Sequence, residues 1–200
     1  MTRNENKDAF FSRLEPRLSP TELTWVRAAY IFAKFGHRAQ LRKEVDEKGQ
    51  PIRYFEHVRR TALVLMDELG IFDPEMIASA LLHDCLEDTE DVDAHLIEHM
   101  FGSRVARNVR CLTNIPKEGY YGRLSTSGTE VLTIKFCDRL DNVRTFGAGG
   151  TAFARRKANE TIMTYLPMFK DNLINVMPEA THLKVLLDEM EEKCERFLSQ

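Results

Sequence analysis

The sequence predicts an all-α fold, a bundle of roughly eight to ten helices. Three observations predict it. Apolar residues recur at spacings of three and four along most of the 200-residue chain, with little sustained alternation. Cap residues followed by proline mark helix starts, as in Ser19-Pro20 and Asp73-Pro74. Glycine marks helix ends, as at Gly70 and in the cluster Gly147, Gly149 and Gly150.

Ser19-Pro20-Thr21-Glu22 joins an N-cap, a proline at the first helical position and a glutamate three residues after the cap. A helix through Leu23, Val26, Ala29, Tyr30 and Ala33 to about His37 follows from it. The polar stretch Lys43 to Arg53, with Gly49 and Pro51, reads as a loop. Tyr54 to Leu69 is helical again, with Val58, Ala62, Leu65 and Met66 on its apolar positions and Gly70 as its stop. Asp73-Pro74-Glu75 opens the next helix, which runs through Met76, Ala80 and Leu81 into the acidic stretch at Glu87. Shorter helices fit Asp93 to Met100 and Ser103 to Leu112, and a loop spans about Asn114 to Gly128. Thr129 to Thr145 is a helix with Leu132, Phe136 and Leu140 on one face. Beyond the glycine cluster, helices are expected from about Ala154 to Phe169 and from about Pro178 to Leu198. No repeat, low-complexity tract or shift in composition divides the chain, so one domain is expected over residues 1–200. Its motif-bearing core covers about residues 28–167, and a C-terminal helix about 178–198.

Hydrophobic residues make up 43% and charged residues 30%, the balance of a globular protein with its own core. Twenty-eight Lys and Arg against 31 Asp and Glu give a formal net charge of −3, which argues against a nucleic-acid coat. No apolar run approaches the roughly 20 residues that cross a bilayer. The start, MTRNENKDAFF, has no apolar stretch of a secretory signal. Cys85, Cys111, Cys137 and Cys194 are widely spaced without C-x-x-C, the pattern of reduced thiols, so a cytoplasmic location is expected.

Chemistry concentrates at His57, the adjacent pair His83-Asp84, and Asp138. Two imidazoles and two carboxylates suit a divalent first-row metal, and three separate helices supply them, which places the site between helices. The spacing alone leaves the structural reading open, because His-Asp dipeptides are common and a histidine on an apolar face is more often hydrogen-bonded core. Context narrows this. Glu87 lies one helical turn beyond His83, and Asp88 one turn beyond Asp84, so all four can border one pocket. A solvated acidic run continuing through Glu90, Asp91 and Asp93 is the plainer alternative, but such a run would not begin with the apolar Ala80-Leu81-Leu82. Further on, Asp138, Asn142 and Thr145 share one helical stripe while Phe136, Leu140 and Val143 fall elsewhere, an arrangement that asks for a polar ligand.

Together, H57…H83-D84…D138 resembles the HD superfamily of metal-dependent phosphohydrolases. H-D-x-x-E-D-T from His83 to Thr89, with K-x-x-D-R-x-x-N-x-R-T from Lys135 to Thr145, resembles its RelA/SpoT-homologue hydrolase branch. Gln40, Arg42 and Lys43 match the branch's Q-x-R-K, FGSRVARNVRCLT contains its G-x-x-V-A, and Glu160, Thr161, Tyr165 and Pro167 match its E-T-x-x-x-Y-x-P. The resemblance implies a helical HD bundle that removes the 3′-pyrophosphate of (p)ppGpp or (p)ppApp, giving a nucleoside 5′-di- or triphosphate and pyrophosphate. It implies that His57, His83, Asp84 and Asp138 hold one Mn²⁺-like ion and that Glu87 and Asp88 manage water and protons. It implies that Arg42, Lys43, Asn142 and Thr145 bind the substrate. The partner implied is a small nucleotide, with neither nucleic acid nor membrane, and with a functional pairing against an alarmone synthetase. The chain ends about where a synthetase domain would begin, so it resembles a small stand-alone hydrolase.

The chain departs from that pattern in places. Arg53-Tyr54-Phe55-Glu56-His57-Val58 stands for the usual P-Y-x-x-H-P, the segment from Lys43 to His57 is longer, Phe136-Cys137 replaces a small apolar pair, and Asp141 stands beside the asparagine where a histidine often sits. The resemblance places the altered loop and Asp141 where the purine would bind. Two other functions compete: an HD hydrolase of another nucleotide or phosphorylated dinucleotide, and a binding module that senses alarmone or opposes a synthetase. A general HD nucleotidase would lack the E-D-T and D-R-x-x-N-x-R-T combination. A non-catalytic sensor would have lost a ligand or the E-D pair, and this chain keeps all six residues. Trp25 and the phenylalanines read as core, His37, His95, His99 and His182 as surface groups, and Cys85 and Cys137 as packing. Arg155-Arg156-Lys157 reads either as a solvated turn or as a guide for a polyanion.

Overall fold

The computed structural model describes residues 6–89, 92–174, 176 and 181–199. It opens with a helix the sequence pattern did not suggest, α1 (Lys7–Ser12), whose first turn is capped by Asn6 Oδ1 accepting from Ala9 N at 2.8 Å. α1 delivers Phe10 and Phe11, both buried, edge-on or tilted against Tyr30 of α2 (Pro20–Gly36). α2 begins on the capping box the sequence predicts: Ser19 Oγ accepts from Glu22 N at 3.3 Å, and Glu22 Oε2 accepts from Ser19 N at 2.8 Å.

The stretch expected to be a loop is instead an antiparallel hairpin, β1 (Leu41–Val45) and β2 (Pro51–Arg53), with Leu41 opposite Arg53, Val45 opposite Pro51 and an irregularity between. Asp46 builds its turn by accepting from Lys48 N and Gln50 N at 2.9 Å each, and Gly49 takes φ 74° there. Only Glu44 and Ile52 are buried in it. Two inward residues, one of them charged, leave no hydrophobic period to read.

Most of the remaining elements follow the expected order. α3 (Phe55–Leu63) continues through a wider turn, Val64–Glu68, and stops at Gly70, φ 69°. α4 (Pro74–Leu82) starts on Asp73, whose Oδ1 accepts from Met76 N at 2.9 Å. α4 gives way to a turn at His83-Asp84, both still in the right-handed helical region, before the short α5 (Cys85–Asp88). In α6 (Ala94–Leu112), Gly102 takes φ 84° and ψ 166°, which explains why the sequence reads two helices there. α7 (Tyr120–Ser125) lies inside the expected Asn114–Gly128 loop. α8 (Thr129–Thr145) has the expected bounds. A tight turn, Phe146–Gly149, leads to α9 (Thr151–Glu160), and wider turns at Thr161–Tyr165 and Lys170–Ile174 flank α10 (Leu166–Phe169), so this helical run passes beyond Phe169. α11 (Thr181–Ser199) closes the fold, and the expected start at Pro178 lies outside the described residues.

α8 is the central post, packed against α3, α4, α6 and α11. Its Ile134, Phe136, Leu140 and Val143 are fully buried, and Phe136 meets Phe169 edge-on at 5.5 Å. Burying one such side chain contributes about 1.5–3 kcal/mol. The polar stripe on the other side of α8 is therefore fixed in place by its apolar one. Among the described residues, no helix is long and apolar enough to cross a membrane.

Candidate functional site

Three elements converge on one cleft. α3 brings His57, the break between α4 and α5 brings His83 and Asp84, and α8 brings Asp138. His57 Nε2 is 3.1 Å from Asp138 Oδ1 and 3.8 Å from Asp84 Oδ2. His83 Nε2 is 2.9 Å from Asp84 Oδ2 and 3.7 Å from Asp138 Oδ1. One donor atom from each of His57, His83 and Asp138 lies within 4.8 Å of the others, and all three residues are buried.

The contacts of the outer ring nitrogens turn the inner ones toward the cleft. Nδ1 of His57 meets Asp141 Oδ2 at 2.7 Å, and Nδ1 of His83 meets the Ala80 carbonyl at 2.8 Å. An acceptor at Nδ1 holds the proton there and leaves Nε2 free to donate electrons. Nε2 of His83 is buried without a hydrogen-bond partner: Asp84 is near it but not aligned with it. A buried, unpartnered nitrogen beside two carboxylates is unfavourable alone and fits a divalent cation.

Charge supports the same fit. Burial pushes Asp84 and Asp138 up, but His83 beside Asp84 and Lys135 beside Asp138 hold both well below the usual carboxylate range. Burial works against a charged His83, yet Asp84 outweighs it and lifts the imidazole to about 9. A metal held at Nε2 would displace that proton. Tyr54, raised by burial and Asp84, stays protonated and donates to Asp84 Oδ2 at 2.7 Å. Lys135 Nζ is 2.8 Å from Asp138 Oδ2, and Asn142 Nδ2 donates to Asp138 Oδ1 at 2.6 Å.

Glu87 lines this cleft, its Oε2 accepting from Asn114 N at 2.9 Å, and burial raises its pKa. Asp88 does not line it. It borders a neighbouring groove with Arg38 and Gln40, and its own carbonyl accepts from Gln40 Nε2. Glu90 and Asp91 of the acidic run lie outside the described residues. Opposite Glu87, the cleft wall carries Arg139 and Lys157, both reaching Glu160 Oε2, at 3.3 and 2.8 Å. Of the basic triplet, Arg155 and Arg156 are exposed and Lys157 faces the cleft.

Arg42, Lys43, Asn142 and Thr145 come together in a pocket of about 240 Å³ between β1 and the end of α8. Arg42 Nη2 donates to Asn142 Oδ1 and Thr145 Oγ1, each at 3.1 Å, and Lys43 Nζ lies 4.2 Å over the Phe153 ring. Tyr54, Asn142, Phe146 and Phe153 line both pocket and cleft, so the two adjoin.

Two expectations need correction. Asp141 is not in that pocket: it is buried behind His57, with Arg60 Nε 2.6 Å from its Oδ1. Burial would raise it, but His57 and Arg60 hold it below its ordinary value. His37 is not a surface group. It is fully buried, with Nδ1 2.7 Å from Gln40 Oε1 and its ring 5.0 Å from Tyr54, while His95, His99 and His182 are exposed as expected. The sequence reading also missed Arg60. The available signal was a matched spacing, His57 and Arg60 three apart on α3 facing Asp138 and Asp141 three apart on α8.

Residues 29–127 match the HD domain family. The chain is 39% identical over 167 residues to a guanosine-3′,5′-bis(diphosphate) 3′-pyrophosphohydrolase of Aquifex aeolicus, covering 78% of this chain and 23% of that protein. It is 31% identical over 168 residues to the protein of the same name from Vibrio cholerae, covering 76% of this chain and 22% of that one. It thus spans about a fifth of the length of these curated relatives. A solved metazoan ortholog of SpoT that hydrolyses ppGpp superposes with a TM-score of 0.65 at 29% identity, covering 87% of this chain and 96% of that one. With its paired imidazoles, its carboxylates and this kinship, the chain carries an HD domain homologous to the SpoT/Rsh ppGpp 3′-pyrophosphohydrolases.

Proposed function

We propose that this chain hydrolyses the 3′-pyrophosphate of (p)ppGpp, and of (p)ppApp as well, using Mn²⁺ held by His57, His83, Asp84 and Asp138. The observation that carries the reading is that the His-His-Asp cleft adjoins, through four shared residues, a pocket lined by Arg42, Lys43, Asn142 and Thr145. One end is built for phosphate chemistry and the other for a nucleoside. A bound divalent ion supplies Lewis acidity, lowering the pKa of water and screening the phosphoryl charge.

The chain's own residues supply the rest. Arg42 lays a planar guanidinium beside the Tyr54 ring, at 5.7 Å, where a purine would stack. Asn142 and Thr145 present polar edges to base or ribose. Lys135, Arg139 and Lys157 face the pyrophosphate and offset its charge. Glu87, kept more basic than an ordinary carboxylate, takes a proton from the attacking water. Phosphorus gains the water oxygen, its bond to the 3′ oxygen breaks, and that oxygen leaves with a proton. Asp88, one groove away, acts on this step through Tyr54 and the Gln40 contact and not by touching the water.

The four free thiols support a reducing, cytoplasmic setting, in which the protein opposes an alarmone synthetase. The test is hydrolysis of ppGpp and ppApp side by side, with Mn²⁺ and with chelator, products resolved by anion exchange. Pyrophosphate released only with metal is the expected result. No turnover of either nucleotide with metal bound would move the assignment to another phosphorylated nucleotide.

A further inference from the structure

Arg42 is where the nucleoside pocket meets a file of buried charges. Its Nε donates to Glu44 Oε1 at 2.9 Å, and the same oxygen accepts from Arg60 Nη2 at 2.9 Å. Arg60 grips Asp141, Nε to Oδ1 at 2.6 Å and Nη2 to Oδ2 at 3.1 Å. Asp141 Oδ2 then accepts the hydrogen bond from Nδ1–H of His57 at 2.7 Å. From Glu44 onward no member is more than 7% exposed, so water and salt screen the file little.

Resting on the reading that Arg42 meets substrate and His57 meets metal, we propose that the relay Arg42–Glu44–Arg60–Asp141 couples nucleoside occupancy to metal affinity. The sign follows from competition for shared charge. A nucleoside that draws Arg42 toward itself loosens Arg42 from Glu44. Glu44, left with one cation, holds Arg60 more firmly, and Arg60 gives less to Asp141. Asp141 becomes a stronger acceptor for Nδ1–H, and Nε2 of His57 becomes a better metal donor. Each ligand therefore tightens the other, by linkage through the same factor. Ion pairs that merely fastened the hairpin to α3 would give no such factor.

The test is calorimetric titration of the full chain with Mn²⁺, with and without saturating 3′-deoxyguanosine 5′-monophosphate. That nucleotide has no 3′ oxygen to reach the metal cleft, and its single phosphate chelates Mn²⁺ weakly. The wild-type Kd for Mn²⁺ is expected to tighten about fivefold or more with the nucleotide. Glu44→Gln is expected to bind Mn²⁺ with a factor within about twofold of unity. If Glu44→Gln does not fold, Arg60→Lys gives the same readout, because an ammonium lacks the planar fork by which Arg60 bridges Glu44 and Asp141. No coupling in wild type, or equal coupling in wild type and variant, overturns the relay and leaves the site reading standing. Wild type that binds neither Mn²⁺ nor the nucleotide overturns both.

Discussion

Asp141 and Asp138 hold one imidazole from both sides: Asp141 Oδ2 is 2.7 Å from Nδ1 of His57, and Asp138 Oδ1 is 3.1 Å from Nε2. Both carboxylates come from α8, one turn apart. The ring on α3 thereby has its tautomer and its direction set by a single neighbouring helix. Replacing Asp141 by Asn keeps the shape and removes the charge that fixes the Nδ1 proton. Asp141→Asn is expected to weaken Mn²⁺ binding about 10–100-fold, read by calorimetry on protein whose melting confirms that it is folded.

Asp84 stands at the helix break beside His83, 16% exposed, with Tyr54 as its hydrogen-bond donor. Asp84→Ala is expected to abolish metal-dependent turnover. Added Mn²⁺, which raises the melting temperature of the wild type by binding the folded state, is expected to leave this variant unmoved. Wild-type rates with normal metal content would remove Asp84 from the ligand set.

Glu87 touches the cleft but none of the clustered donor atoms, so its loss separates metal binding from proton handling. Glu87→Gln is expected to keep its metal and lose about 100-fold or more in turnover. Its pKa is raised by burial, so the wild-type rate falls as pH drops through a value above that of an ordinary glutamate. The glutamine variant should lack that limb. An unchanged pH profile at normal rate would exclude the role.

Glu160 is the opposite case. Burial would raise it, but Arg139, Lys157 and the Tyr121 hydroxyl more than compensate and hold it at about 2. A carboxylate depressed in the folded state stabilises above its unfolded pKa, and that contribution disappears as pH falls through the folded one. The melting difference between wild type and Glu160→Gln is expected to be full above the ordinary value of 4.5 and to shrink toward about 2. A difference that grew on acidification would contradict the sign.

Phe136 has no exposed surface and packs edge-on against Phe169, joining α8 to the helical run after α9. Phe136→Ala is expected to cost about 3–5 kcal/mol in denaturant unfolding, from lost burial and the cavity left behind. It tests the scaffold and touches no group in the cleft.

The helical class, the capping box at Ser19 and the bounds of α8 were legible because each rests on local chemistry: a cap, a proline, a 3.6-residue period. His57, His83, Asp84 and Asp138 stood out by residue type, and the fold brings them together from three separate elements. Glu87 and Asp88 looked equivalent in sequence because helical spacing speaks only of direction. α5 is a single turn after a bend: Glu87 lines the cleft, while Asp88 borders the neighbouring groove and reaches the cleft only through Tyr54. Asp141 and His37 were misplaced for a common reason. Each is a polar residue covered by partners distant in sequence, Arg60 for one and Tyr54 with Cys85 for the other, and no local pattern announces such a partner. The hairpin was missed because two strands with one charged and one apolar inward residue carry no period.

That hairpin has a bearing on how such proteins diverge. Ile52 and Glu44 are its only inward side chains, and Glu44 lands on Arg60, a cation whose Nη1 already lacks a partner. A foreign hairpin grafted here without an acid at position 44 leaves Asp141 as the one acid on the buried Arg60, and the lost buried hydrogen bond costs about 1–3 kcal/mol. Positions 44, 60 and 141 thus act as a set. Recombination or engineering that seeks a new substrate range by exchanging β1 and β2 must carry two helix residues with them, one from α3 and one from α8.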